Sequence, residues 1–404
     1  MKNIKKIFGV ICALILVTSL FAGLFENFTV KAASKKTVRV TTQKELKKAL
    51  KNSKVGTIIL RTQIYDDFTI SSKKAKKKNL IVDAENANIV NKSKFKSIEI
   101  INAKKYTEDV SGNTITCGIS GMIIADGRSV KKLTFSYLIS DYVLRKGASI
   151  KTLAYDIDGK KSSFDKKTGT LTAKVSYYSF ETEDYCDVIY KVLIDETGKI
   201  TKLTYADSEG NEYISNAEYD ENGNMIFVDE TNVKTGDITF RFNYEYDKDN
   251  NLVSQHSDYG TWDEDTTFEY NSKGLLISRK SVNSVGTKME WAYKYDSKGR
   301  MSESDYSYCS DSYSSSDTTK ETYDKNGYKT KTEMLNDTGY KCVYTYKYDS
   351  EGNQYYYTLD ETYIDGTTAT YEYKYEFDEW GVLLAGYIKY PYDDEWIDMS
   401  ELGD

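Results

Sequence analysis

One short phrase returns eight times in the second half of this chain, and it limits the fold more than any other feature. Its clearest copy is Tyr295-Asp296-Ser297-Lys298-Gly299. The aromatic-Asp/Asn-x-x-Gly spacing recurs from Tyr219, Tyr270, Tyr323, Tyr348 and Phe377, with Ile194 opening a less aromatic copy and Tyr246 one closed by Asn250. Aspartate or asparagine at the first turn position accepts a hydrogen bond from the backbone two residues on, and two ordinary residues complete a type I turn. The next residue must take positive φ, which glycine and asparagine tolerate, so each phrase predicts a hairpin closed by a bulge.

Successive turn residues 195, 220, 247, 271, 296, 324, 349 and 378 lie 24 to 29 apart. That period predicts an array with one hairpin per unit, each packed on its neighbours. The strand entering each turn alternates: Phe240, Phe242, Tyr244, Tyr246; Trp291, Tyr293, Tyr295; Tyr344, Tyr346, Tyr348; Tyr371, Tyr373, Tyr375, Phe377. Glu372, Lys374 and Glu376 fall on the opposite face. A period of two means half-buried strands with one aromatic face.

These phrases, with Tyr348-Asp349-Ser350-Glu351-Gly352-Asn353, resemble the YD repeats of bacterial Rhs-type surface and secreted proteins over about 190–390. The resemblance implies a hairpin repeat fold and names no activity. In that family long arrays form a sheet-walled shell, sometimes around a toxin, so a remnant of a delivery shell is one reading here.

The N-terminal part reads differently. Residues 1–32 have the form of an export signal: Lys2, Lys5 and Lys6 precede an apolar run over 7–25, and Val30-Lys31-Ala32 offers a cleavage site. The same run is long enough for an uncleaved anchor. Beyond it, Thr37-Val38-Arg39-Val40-Thr41 reads as a strand, and Thr42-Gln43-Lys44-Glu45 has capping-box spacing for a helix over 43–52. Short apolar pieces then follow at intervals of about ten residues: Thr57-Ile58-Ile59-Leu60, Phe68-Thr69-Ile70, Asn79-Leu80-Ile81-Val82, Ala87-Asn88-Ile89-Val90 and Ser97-Ile98-Glu99-Ile100-Ile101. Later pieces are Thr114-Ile115-Thr116, Met122-Ile123-Ile124 and Lys132-Leu133-Thr134-Phe135. They predict rungs of a parallel β-solenoid, with a small antiparallel sandwich as the alternative.

The order strand, capped helix, strand, then Lys78-Asn79-Leu80-Ile81-Val82-Asp83-Ala84 resembles the opening of right-handed parallel β-helix proteins of the pectate lyase type, over about 37–140. The expected fold is therefore all-β: a short right-handed parallel β-helix-like domain over 33–150, then an antiparallel β-hairpin repeat array over 151–404. Residues 310–319, rich in serine, read as a long turn within that array.

Charge divides along the same boundary. Residues 33–150 hold 24 Lys/Arg against 10 Asp/Glu, and residues 151–404 hold 27 against 51. An exported basic module favours an anionic cell-wall polymer or polysaccharide, and Lys73, Lys74, Lys76, Lys77 and Lys78 are the candidate polyanion-binding residues, read otherwise as a solvated loop. Nucleic acid is not an expected partner, because no reader motif accompanies the charge. Tyr344, Tyr346, Tyr371, Tyr373 and Tyr375 are candidates for stacking on glycan rings, although packing between hairpins explains such rows equally.

Catalytic, cofactor and metal sites are expected to be none. His256 is the single histidine and has no nucleophile near it in sequence. Asp263-Glu264-Asp265 and Asp247-Lys248-Asp249-Asn250 lack the spacing of a calcium loop. The pectate lyase resemblance implies clustered aspartates and an arginine, yet Asp83 has no clustered acidic partners on neighbouring rungs and Arg128 and Arg145 lack the motif. Cys117, Cys186, Cys309 and Cys342 show no metal spacing and no disulfide framework. The sequence thus predicts a non-enzymatic surface or secreted protein for adhesion or polymer binding, without a stable membrane span once the signal is cleaved. The alternative is a polysaccharide-degrading lyase or hydrolase on the β-helix-like domain.

Overall fold

In the computed structural model, residues 36–136, 142–157, 160–179, 184–207 and 210–401 are described. The expected export signal over 1–32, with Cys12, lies outside them. The chain is all-β, and it changes from parallel to antiparallel pairing once, after strand Leu153–Ile157.

Thr42 caps the helix, α1 (Gln43–Lys51), accepting a hydrogen bond from the Glu45 amide while the Glu45 carboxylate reaches back to the Thr42 amide. Leu46, Ala49 and Leu50 on its inner face are buried. The helix thus covers the open end of a parallel coil with three faces. On the first face, parallel pairing aligns Ile58, Leu80, Ile98, Ile115, Leu133 and Leu153, and beside them Leu60, Val82, Ile100, Cys117, Phe135 and Tyr155. All twelve point inward and are buried. Such in-register ladders arise because side chains two apart share a strand face, so a short apolar-polar-apolar piece in each rung is enough to fill the coil.

The second face stacks Asp67–Ile70, the end of Asn79–Asn91, the end of Ser97–Glu108, Met122–Ile124 and Tyr142–Leu144. The third face is mostly loop, with a 3-10 turn Lys73–Lys77 and the paired strands Ser129–Val130 and Ser149–Ile150. The solenoid reading holds, and the sandwich alternative is excluded by the parallel register.

The antiparallel sheet has 19 strands, Ser163–Asp165 to Ile397–Asp398, each hydrogen-bonded to its sequence neighbours. Each repeat contributes two strands. The aromatic-Asp-x-x-Gly turns line one edge, and a second set of turns, such as 232–237, 283–287 and 363–367, lines the other. The turn mechanism is as expected: Asp296 Oδ1 accepts from the Lys298 and Arg300 amides at 2.9 and 3.0 Å, and Gly299 has φ +80°. Asn250, at φ +63°, replaces glycine in its copy.

One expectation fails. Residues 310–319 are not a long turn: the chain reverses between Ser310 and Tyr313, and strand Ser314–Tyr323 pairs at once with Met301–Cys309. Its serines and threonines obey the same period-two pairing as their apolar counterparts, because a strand in a large sheet is held by its backbone ladder.

Register places every aromatic row on one face of this sheet. Phe242, Ser257 and Glu264 align across three strands, as do Arg279, Trp291 and Tyr306, and Tyr346, Tyr357 and Tyr373 across three others. The other face carries polar and charged side chains, such as the run Asn243, His256, Asp265. The aromatic face turns toward the solenoid at both ends: Leu171, Ala173 and Val192 join the solenoid core, and the Tyr323 ring lies 5.0 Å from that of Tyr65.

The edge bearing the aspartate turns also touches the solenoid twice. Early turns meet its last rungs, where Arg145 Nη1 donates to Asn224 Oδ1 at 2.6 Å. Late turns meet its first rungs, where Arg61 Nη1 donates to the Trp380 carbonyl at 2.7 Å and the Tyr65 amide to that of Gly327 at 3.4 Å. Between these ends the sheet edge measures roughly 60 Å across its strands, whereas the rungs span only about 20 Å, both at about 4.8 Å per strand. The sheet must therefore bow, with its aromatic face inward. The described residues from Thr37 onward accordingly belong to one compact unit, in which the acidic sheet and the basic solenoid are in contact.

Candidate functional site

The third face of the solenoid concentrates positive charge. Segments distant in sequence are brought into register there by backbone hydrogen bonds: the Lys96 amide to the Lys78 carbonyl at 2.8 Å, Lys131 to Asn113 at 2.8 Å, Ser149 to Arg128 at 3.0 Å and Lys151 to Val130 at 3.0 Å. Lys73, Lys74, Lys76 and Lys77 are thereby stacked over Lys92, Lys94 and Lys96, and further along over Arg128, Lys131 and Lys132, then Lys146 and Lys151. All twelve are exposed. Acid is sparse on this face: Asp109 pairs with Arg128 at 2.9 Å and Lys92 at 3.7 Å, and Asp126 lies in the next loop. Four cation-bearing segments, with the 109–113 loop stacked between the second and third, make five layers at about 4.8 Å each and a cationic stripe on the order of 20 Å long.

Lys78 is a correction to the expected site. It is 3% exposed, and its ammonium donates to the carbonyls of Asn52 and Val55, both at 2.6 Å. It ends the 3-10 turn with its side chain under α1 and is structural, because a buried ammonium must satisfy its donors. Sequence missed the remaining cations for the opposite reason. Residues 92–96, 128–132 and 146–151 hold only two or three cations each, and only the rung register gathers them.

The tyrosine candidates are half-buried on the inner face of the bowed sheet. The rings of Tyr357 and Tyr373 stack at 4.2 Å and 10°, Tyr344 and Tyr346 lie at 6.3 Å and 6°, Tyr357 and Tyr375 at 6.1 Å, and Tyr371 packs against Tyr390 at 6.0 Å. Ring contacts with one another already occupy much of their surface, which is the packing reading of these rows.

The remaining chemistry is local. His256 Nδ1 meets Asp265 Oδ1 at 2.8 Å on the charged outer face, with both side chains exposed. Arg61 and Asp83 meet at 2.7 Å, but Arg61 is bound to the Trp380 carbonyl and Asp83 to Asn102, so this pair joins rungs and sheet. Among the described residues, no three His, Cys, Asp or Glu side chains gather to hold a metal ion. Cys117, Cys309 and Cys342 are free thiols; burial pushes the Cys117 thiol up to about 12. The side chain of Cys186 lies outside the described residues.

Inside the solenoid, Glu108 is fully buried. Its carboxyl accepts from Asn91 Nδ2 at 2.9 Å, Tyr106 Oη at 3.0 Å and Asn113 Nδ2 at 2.6 Å. Burial raises its pKa to about 7, against the pull of those three donors.

No family model and no curated protein matches the chain. Among solved structures, the TcdB2-TccC3 complex is similar at 12% identity and a TM-score of 0.24, over 55% of this chain and 15% of that one. A porin-like protein from Bacteroides uniformis is similar at 12% identity and a TM-score of 0.26, over 51% of this chain and 93% of that one. A porin-like protein from Bacteroides vulgatus is similar at 12% identity and a TM-score of 0.21, over 58% and 96%.

Proposed function

We propose that this is an exported surface or secreted protein that binds an anionic polymer, such as a wall teichoic acid or an acidic polysaccharide, along the third face of its solenoid. The supporting observation is the stacking of twelve exposed cations from four sequence segments into one stripe. A linear polyanion meets such a stripe at several points at once, and its attraction is screened by salt over about 8 Å at physiological ionic strength. The acidic sheet belongs to the same compact unit, and its charge favours an orientation that turns it away from a negatively charged wall.

The test is co-sedimentation of the full chain with purified cell walls at low and high salt. Binding is expected to fall as salt rises, and to be largely lost when Lys73, Lys74, Lys76 and Lys77 are changed to Glu. Lys78 is left intact, because its side chain holds α1. Binding that ignores salt, or survives the four reversals, refutes the assignment.

A further inference from the structure

Where the early turns of the sheet meet the last rungs of the solenoid, the two surfaces leave a cavity of ≈ 290 Å³ between them. Tyr142, Val143 and Arg145 of the solenoid form one wall. The other is a row drawn from five successive strands of the sheet: Tyr219 beside Met225, Tyr246 beside Leu252, then Tyr270. Asn224, Asn250 and Asn251 stand at the turn end of that row. Among the described residues that line the cavity none is acidic. The aspartates of the two turns, Asp220 and Asp247, accept from Asn224 and Asn251 within their own turns.

Three of the lining residues are half-buried and keep donors that the fold does not use. Arg145 Nη1 donates to Asn224 Oδ1 at 2.6 Å and to the Asn222 carbonyl at 3.3 Å, and no carboxylate among the described residues pairs with this guanidinium. Asn224 Nδ2 in turn donates to Asn250 Oδ1 at 2.9 Å, so that one buried amide bridges Arg145 and Asn250 and leaves the Asn250 N–H groups unpaired. Tyr270 departs from the pattern of its repeat. Tyr219, Tyr295 and Tyr348 each donate to the carbonyl five residues after the preceding turn's first residue, at 2.8, 2.7 and 2.9 Å. The Tyr270 hydroxyl has no partner among the described residues, and its ring stacks on no other. None of these free donors is closed off from solvent. The cavity therefore sets one uncompensated positive charge and several open donors against a floor of rings and aliphatic side chains. Its complement is a flat apolar body carrying one carboxylate. We propose that Arg145, Asn250, Tyr270 and this cavity form a binding site for a small aromatic carboxylate, with the carboxylate on Arg145 and Asn250 and the ring on the tyrosine row.

The site is tested by calorimetry on the full chain carrying Lys73→Glu, Lys74→Glu, Lys76→Glu and Lys77→Glu, so that its outcome is separate from that of the cationic stripe. The probes are phenylacetate, its neutral counterpart phenylacetamide, and acetate, which lacks the ring. Phenylacetate is expected to bind at least about tenfold more tightly than either comparison probe, and Arg145→Gln to weaken it at least about tenfold, as for loss of a charge-assisted hydrogen bond. Because Arg145 also holds Asn224, Arg145→Lys, which keeps the charge without the planar fork, replaces the glutamine variant if that one does not fold, and is expected to weaken binding as well. Tyr270→Ala leaves the contact between Arg145 and Asn224 in place and is expected to weaken phenylacetate more than acetate. No binding by the parent, equal binding of acetate or phenylacetamide, or undiminished binding by the folded Arg145 and Tyr270 variants overturns the site.

Discussion

The solenoid and the hairpin sheet are both built from short strands, yet they solve the problem of burial in opposite ways. The solenoid closes each rung around a dry interior, so that Ile58, Leu80 and Leu133 are at most 1% exposed. The sheet never closes: its first and last strands, Ser163–Asp165 and Ile397–Asp398, are not paired with each other. Its tyrosines remain half-buried and lean on their neighbours in rows. A ring that stacks on another ring and keeps its hydroxyl wet suits an open curved face, whereas an aliphatic ladder needs complete enclosure. Stability should therefore depend on single side chains in the solenoid and be distributed along the rows of the sheet.

The largest effect is expected from removing one rung of the aliphatic ladder. Leu80→Ala leaves a cavity between Ile58 and Ile98, and should cost about 3 kcal/mol, within the range for buried leucines. Tyr346→Ala, in a half-exposed row, should cost less than half as much. Denaturant unfolding of the two variants checks this, and equal losses would remove the distinction between the two regions.

Next in size is a pH effect confined to the solenoid. Burial holds the Glu108 pKa at about 7 in the folded chain, above its ordinary value of 4.5. Between these values the folded protein keeps a proton that the unfolded chain releases, so stability is greatest at the acid end and falls as pH rises from about 4.5 through about 7. The whole change amounts to about 3 kcal/mol at 1.36 kcal/mol per pH unit. The difference between wild type and Glu108→Gln isolates it from the titration of the acidic sheet. If that difference is independent of pH, Glu108 ionises freely in the fold.

How much of this was legible in the sequence follows from the same contrast. The turns of the sheet are local events, fixed by Asp296 and Gly299 within five residues, and the strands of the solenoid follow from apolar alternation within four or five. Both were readable. The third face was not, because Lys131 reaches the Asn113 carbonyl and Lys151 that of Val130 only after rungs of unequal length have stacked. Lys78 looked like one more member of a lysine loop, and only its position beneath α1 distinguishes it. The two dockings of the sheet edge were invisible for a similar reason: Arg61 and Trp380 are 319 residues apart, and no periodicity connects them.

The smallest expected effect separates turns that only close a hairpin from turns that also touch the solenoid. Gly299 and Gly223 occupy the same place in their repeats, with φ of +80° and +82°. An alanine at either must adopt a left-handed backbone, which costs about 1 kcal/mol. At Gly299 the new methyl would lie 3.5 Å from Leu275 Cδ1, an ordinary contact. At Gly223 it would overlap the backbone carbonyl of Leu144, which cannot move without disturbing the last rungs. Gly299→Ala should therefore cost about 1 kcal/mol and Gly299→Asn less, since Asn250 already fills that role in another repeat. Gly299→Val should cost more than Gly299→Ala, because a β-branched residue is especially poor at positive φ. Gly223→Ala should exceed Gly299→Ala by a further ~1 kcal/mol or more, the size typical of overpacking. Thermal unfolding of these variants, measured side by side, decides the matter: equal losses at Gly223 and Gly299 would mean that the early turns do not rest on the solenoid, and the bowed form of the sheet would have to be abandoned with them.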